Sequence, residues 1–134
     1  MVTLKVLLVD DNAGVRGTLA SFLKRQVGVE LIGEASDGLG AIEQAEKLRP
    51  DLILMDLDLP ECDGYQATQL IKSKVPNTRV VILSIHGGES YRRMAWRSAA
   101  DGFIEKASMK NDLLNLVIDE RRRLGDGFAG VAAG

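Results

Sequence analysis

The chain has 134 residues, 46% of them apolar and 27% charged, a balance that suits one folded domain with an ordinary core and leaves no room for a second. Lys and Arg number 17 against 19 Asp and Glu, a net charge of −2 that offers no general attraction to nucleic acid or anionic lipid. A single cysteine, Cys62, and a single histidine, His86, exclude an internal disulfide and a zinc-finger cluster; with no apolar stretch near the roughly 18 residues of a membrane span, a cytoplasmic protein is expected.

Leu4 to Val9 is a run of Val and Leu ended by Asp10-Asp11-Asn12, which reads as a strand buried on both faces. Val15, Leu19, Phe22 and Leu23 then recur at helical spacing, an amphipathic helix expected to stop near Gly28. Val29 to Ala35 reads as a second strand, and Leu39, Ile42, Ala45 and Leu48 as the stripe of a second helix stopped by Pro50. Leu52 to Met55 forms a third strand closed by Asp56, and a loop from Asp58 to Gly64 leads to a helix with Ala67, Leu70 and Ile71 turned inward. Val80 to Leu83 is a fourth strand, and Tyr91, Met94, Ala95 and Ser98 set a fourth helix against the core. Gly102 to Glu105 is a fifth strand, and Met109, Leu113, Leu116, Val117 and Leu124 stripe a last helix. Strands alternating with helices at this spacing predict an α/β fold, five βα units forming a parallel sheet covered on both faces. The domain is expected to span residues 1–124, with 125–134 a flexible tail or linker remnant.

Open α/β sheets place their functional crevice at the carboxyl ends of the strands. Polar residues stand at those ends: Asp10 and Asp11 after the first strand, Asp56 after the third, Ser84 after the fourth and Lys106 after the fifth. Clustered carboxylates repel one another unless a cation offsets them, and an all-oxygen set with room for water suits Mg²⁺, with Mn²⁺ as a substitute. A divalent metal, a carboxylate nucleophile, a hydroxyl donor and an ammonium are the parts that phosphoryl transfer needs.

Taken together, Asp10-Asp11, Asp56 in Leu-Met-Asp-Leu-Asp-Leu-Pro-Glu-Cys-Asp-Gly, Ser84 in Ile-Leu-Ser-Ile-His and Lys106 in Asp-Gly-Phe-Ile-Glu-Lys-Ala resemble the receiver domain of two-component response regulators, from Leu4 to Leu124. The resemblance implies a flavodoxin-like (βα)5 sandwich with strand order 2-1-3-4-5. It implies that Asp56 is the phosphoacceptor, taking its phosphoryl group from the phosphohistidine of a sensor histidine kinase or phosphotransfer protein. It further implies that Asp10, Asp11, Asp56 and the backbone carbonyl of Asp58 hold Mg²⁺, and that Lys106 and the Ser84 hydroxyl contact the phosphoryl oxygens. Phe103 matches the family's switch aromatic, which with Ser84 remodels the face of helix four, strand five and helix five for a partner or for homodimerisation on phosphorylation. Such a domain is a signalling phosphoacceptor that phosphorylates and dephosphorylates itself, and not a metabolic enzyme. Ala107 stands where the family often has a cis proline, as in receivers attached to LuxR/NarL-type DNA-binding domains; Ile85 replaces a small residue, and Phe103 lacks the usual tyrosine hydroxyl.

Other readings stay open at this level. Asp10-Asp11 also suits a turn and helix cap, and Asp56-Leu57-Asp58 is similar to the motif of haloacid-dehalogenase-type phosphatases, though there it ends the first strand. A receiver-like scaffold that signals without phosphorylation is the third alternative. His86 reads as a solvated loop residue or a modulator of acyl-phosphate lifetime, and Cys62 as a loop thiol. Trp96 falls off the stripe of its helix, which turns its ring away from the core toward Phe103; with Arg92 the two mark a partner face.

Overall fold

The computed structural model describes residues 2–125, so the tail expected at 125–134 lies, apart from Gly125, outside the described residues. Five strands, β1 (Leu4–Val9), β2 (Val29–Ala35), β3 (Leu52–Asp56), β4 (Arg79–Ser84) and β5 (Gly102–Glu105), form one sheet in the order β2-β1-β3-β4-β5. Every neighbouring pair is parallel. The crossovers are α1 (Ala13–Lys24), α2 (Gly38–Leu48), α3 (Gly64–Lys74) and α4 (Glu89–Arg97), and α5 (Met109–Arg123) follows β5 after a short 3₁₀ turn at Lys106–Ser108. This is the flavodoxin-like three-layer arrangement. No described helix is long and apolar enough to cross a membrane.

The strands read as continuous apolar runs because both faces of the sheet are covered. Leu7 and Val9, Ile53 and Met55, and Val80 and Ile82 point to one side, where they pack with Ala41 and Ala45 of α2, Ala67 and Ile71 of α3 and Ala95 of α4. Leu4, Val6 and Leu8, Leu52 and Leu54, and Val81 and Leu83 point to the other, against Leu19 and Leu23 of α1 and Leu113 and Val117 of α5. Each large side chain buried this way contributes roughly 1.5–3 kcal/mol.

Several sequence expectations shift. α1 ends at Lys24, four residues before Gly28, and Gly28 sits in the following turn with φ +78°, a conformation that suits glycine. Leu70, expected inward, is 45% exposed, because Ala67, Thr68 and Ile71 centre the buried stripe of α3 one position away. Met94 is 42% exposed: α4 meets the core through the buried Ala95 and the partly buried Tyr91, and Met94 lies beside that stripe. Leu39 and Leu124 are likewise exposed at helix ends.

Candidate functional site

At the carboxyl ends of β1 and β3 the chain stops being apolar within a single residue. Asp10 is 1% exposed and Asp56 is 4% exposed, whereas Asp11 faces solvent. A carboxylate oxygen from each of the three can be chosen so that all lie within 4.8 Å of one another. None of them caps a helix: Asn12 does that for α1, its side-chain oxygen accepting the Val15 N–H at 3.0 Å, and Asp63 does it for α3. The helix-cap half of the turn-and-cap reading of Asp10-Asp11 therefore fails, while the turn half holds, with Asp10 Oδ1 accepting the Asn12 N–H at 2.9 Å.

Lys106, the first residue after β5, brings its Nζ to 3.1 Å from Asp56 Oδ1 and 3.4 Å from Asp10 Oδ2. Burial disfavours its ammonium, but the charges and hydrogen bonds of Asp56 and Asp10 outweigh that and hold its pKa above the ordinary lysine value. Asp56 is pushed up chiefly by burial and further by Asp10, while Lys106 and a backbone hydrogen bond from Asp58 pull the other way without cancelling the rise. One ammonium thus does not balance the crevice. The donor set, three carboxylates with one of them solvent-facing, fits a hard divalent cation that keeps part of its water.

The floor under Asp56 is set by Gly64. A Cβ there would lie 2.5 Å from the Asp56 carbonyl oxygen and 2.9 Å from Leu57 Cα, so any larger residue at the start of α3 would force the backbone at the strand end to shift. Leu57 continues the sheet by donating its N–H to the Leu83 carbonyl at 2.9 Å. Ser84, fully buried, follows the residue paired with Asp56, and its Oγ accepts the His86 N–H at 2.9 Å. His86 is exposed and stacks on Tyr91 at 4.8 Å between ring centroids, with its Nε2 4.0 Å from an Asp58 carboxylate oxygen. The Asp58 side chain is 57% exposed. Ile85 is 69% exposed. No cis peptide occurs among the described residues, so Lys106–Ala107 is trans.

A second surface lies between α4 and β5. Trp96 is 73% exposed and lines a cleft of about 120 Å³ with Arg92, Ala95, Ala100, Gly102 and Phe103. Phe103 is half-buried against the core; the Arg92 guanidinium stands 5.0 Å over its ring centre and 3.0 Å from Glu105. Cys62 is half-buried in the β3–α3 loop, where burial first, then Asp63 and Asp37, push its thiol pKa up, away from reactivity.

Sequence reasoning missed three contributors. Arg16 grips the Asp10 carbonyl, Tyr65 donates its hydroxyl to the Tyr91 carbonyl at 2.9 Å, and a charge cluster closes the far end of the sheet. Only Arg16 had a legible signal, a lone cation one helical turn beyond an acidic strand end.

Comparison with known proteins agrees with this geometry. A family model described as the response regulator receiver domain matches residues 6–118. The response regulator protein VraR of Staphylococcus saprophyticus is 40% identical over 116 residues, covering 85% of this chain and 54% of that protein. VraR of Staphylococcus epidermidis is 41% identical over 118 residues, covering 87% and 56%. The chain thus spans little more than half the length of these relatives. Among solved structures, the response regulator domain of Thermotoga maritima CheB superimposes with a TM-score of 0.80 at 33% identity, covering 90% of this chain and 95% of that one. A LuxR-family two-component response regulator from Aurantimonas sp. SI85-9A1 gives 0.83 at 29% identity, covering 87% and 84%.

Proposed function

The chain belongs to the response regulator receiver domain family, and from that premise we propose that it is a phosphorylation switch whose phosphoacceptor is Asp56. The observation that carries the proposal is the convergence of the buried Asp56 carboxylate with Asp10, Asp11 and the Lys106 ammonium, three acids against one base. Asp10, Asp11, Asp56 and the Asp58 backbone carbonyl would hold Mg²⁺. Bound there, the ion would supply the positive charge that offsets the oxygens of a phosphoryl group in transfer.

The chain's own residues do the rest. An Asp56 oxygen attacks the phosphorus of a phosphohistidine, a P–O bond forms as the P–N bond breaks, and the electron pair of the broken bond returns to the imidazole, which leaves neutral with the proton already on its other ring nitrogen. The shared Asp56–Lys106 contact at 3.1 Å puts the ammonium where it can hold a phosphoryl oxygen as the carboxylate becomes an acyl phosphate. The Ser84 hydroxyl accepts from His86 and keeps its own proton to donate to a second oxygen. Phe103, Arg92 and Trp96 form the face that answers, offered to a partner or to a second copy in the cytoplasm. A phosphoryl group moves that face only by its preference for the active arrangement.

The test is intact mass after incubation with acetyl phosphate and Mg²⁺, beside an EDTA control and Asp56→Asn. A single metal-dependent phosphoryl adduct, absent in the variant, is the expected result. An adduct that survives in Asp56→Asn would move the acceptor elsewhere. Absence of any adduct, together with no response of Trp96 fluorescence to beryllofluoride, would favour a scaffold that signals without phosphorylation.

A further inference from the structure

One residue at the acid cluster has no part in the chemistry above. β1 ends at Val9 and α1 begins at Ala13, so the buried Asp10 carbonyl belongs to neither ladder. The Asp10 N–H closes on the Ala35 carbonyl at 3.1 Å, and Asp10 Oδ1 accepts the Asn12 N–H at 2.9 Å. The Asp10 carbonyl oxygen accepts from Arg16 Nη1 at 2.6 Å. The same guanidinium donates its Nε to Glu34 Oε1 on β2 at 3.2 Å. One planar fork thus ties α1 and β2 to the peptide group that links Asp10 to Asp11. The plane of that peptide sets the directions in which the two carboxylates leave the backbone, and those directions bring both within 4.8 Å of Asp56.

We propose that Arg16 is a positioning residue for the acid cluster, holding the Asp10–Asp11 peptide so that both carboxylates face a single cation; this rests on the metal-dependent phosphoacceptor reading. The proposal commits to a sign. A cation near a divalent-metal site repels the metal, so if Arg16 acted by charge alone its removal would tighten binding. If it acts by holding the peptide, its removal weakens binding. Lys keeps the charge but has one compact ammonium, and it cannot bridge carbonyl and carboxylate as a fork does.

The experiment is calorimetric titration of the whole chain with Mg²⁺ alone, comparing the unmodified protein with Arg16→Ala, Arg16→Lys and, as a control, Lys72→Ala at the other end of the sheet, with a melting curve for each. Arg16→Ala is expected to weaken Mg²⁺ binding about tenfold, the scale of losing a group that orients metal ligands, with Arg16→Lys closer to Ala than to the unmodified chain. The control is expected to melt lower with Mg²⁺ binding unchanged. Should Arg16→Ala not fold, Glu34→Ala, which frees only the second arm of the fork, is expected to weaken binding by about threefold. Binding that is unchanged or tighter in the Arg16 variants, or weakened equally in the control, overturns the positioning role. Failure of the unmodified chain to bind Mg²⁺ overturns the phosphoacceptor reading itself, and the role of Arg16 with it.

Discussion

At the amino ends of β4 and β5 four charged groups meet: Lys72 on α3, Arg79 on β4, Asp101 before β5 and Glu120 on α5. Lys72 Nζ lies 2.9 Å from Asp101, and Arg79 reaches Glu120 at 2.7 Å and Asp101 at 3.5 Å. Asp101 also accepts the Val80 N–H at 2.8 Å, and Lys72 donates to the carbonyl of Thr78 at 2.9 Å. At the carboxyl ends of the strands four charged groups also meet, but three are acids, Asp10, Asp11 and Asp56, and one is a base, Lys106. The first cluster is balanced, hydrogen-bonded and closed, and it fastens three elements together. The second has an excess of negative charge that the protein leaves in place. Both sit at the margin of the same sheet, and on the proposed reading the uncompensated end takes a ligand while the balanced end serves stability.

The largest expected effect tests the open end. Lys106→Ala is expected to slow adduct formation from acetyl phosphate about a hundredfold, the cost of removing one electrostatic stabiliser of the transferring group, read from the time course of intact mass. An unchanged rate would remove Lys106 from the site. At the closed end, Arg79→Ala leaves the Glu120 carboxylate, 4% exposed, without its main partner. The expected loss is about 2 kcal/mol in urea unfolding, below the range for a fully buried pair because the Arg79 side chain is partly solvated, with the adduct rate intact. If that variant instead lost phosphorylation, the two ends would be coupled and the contrast between them false.

Gly64→Ala is expected to cost about 1–2 kcal/mol and also to slow the adduct, since the added Cβ must push against the Asp56 backbone. Asp56→Asn is expected to go the other way, stabilising the fold by about 1 kcal/mol at pH 7. The sign follows from burial, which raises the Asp56 pKa above its value in the unfolded chain. The folded state therefore binds that proton more tightly, and the penalty of the charged form is present at neutral pH. It is relieved as pH falls through the raised pKa, so the advantage of Asn shrinks in acid; melting curves from neutral pH downward check this. Smallest of all, Trp96→Ala on the exposed face is expected to alter stability by no more than about 0.5 kcal/mol.

The sequence by itself determined the fold class and nearly all of the site, for a physical reason. A buried parallel strand is apolar from end to end, so the residue where Val9 gives way to Asp10, or Met55 to Asp56, announces both the strand's end and a carboxylate at the sheet's margin. Fixed strand order then brings those margins together, which is why Asp10, Asp11, Asp56 and Lys106 were legible as one group. Helix faces were less legible. Leu70 and Met94 have the right character for the core, yet an apolar residue one position off the stripe is tolerated at the surface. What only the tertiary structure decided were the partnerships of long polar side chains. Arg16 with Glu34 and the Asp10 carbonyl, and Arg79 with Glu120, join residues distant in sequence through flexible stems. Neither spacing nor periodicity records where such a stem comes to rest.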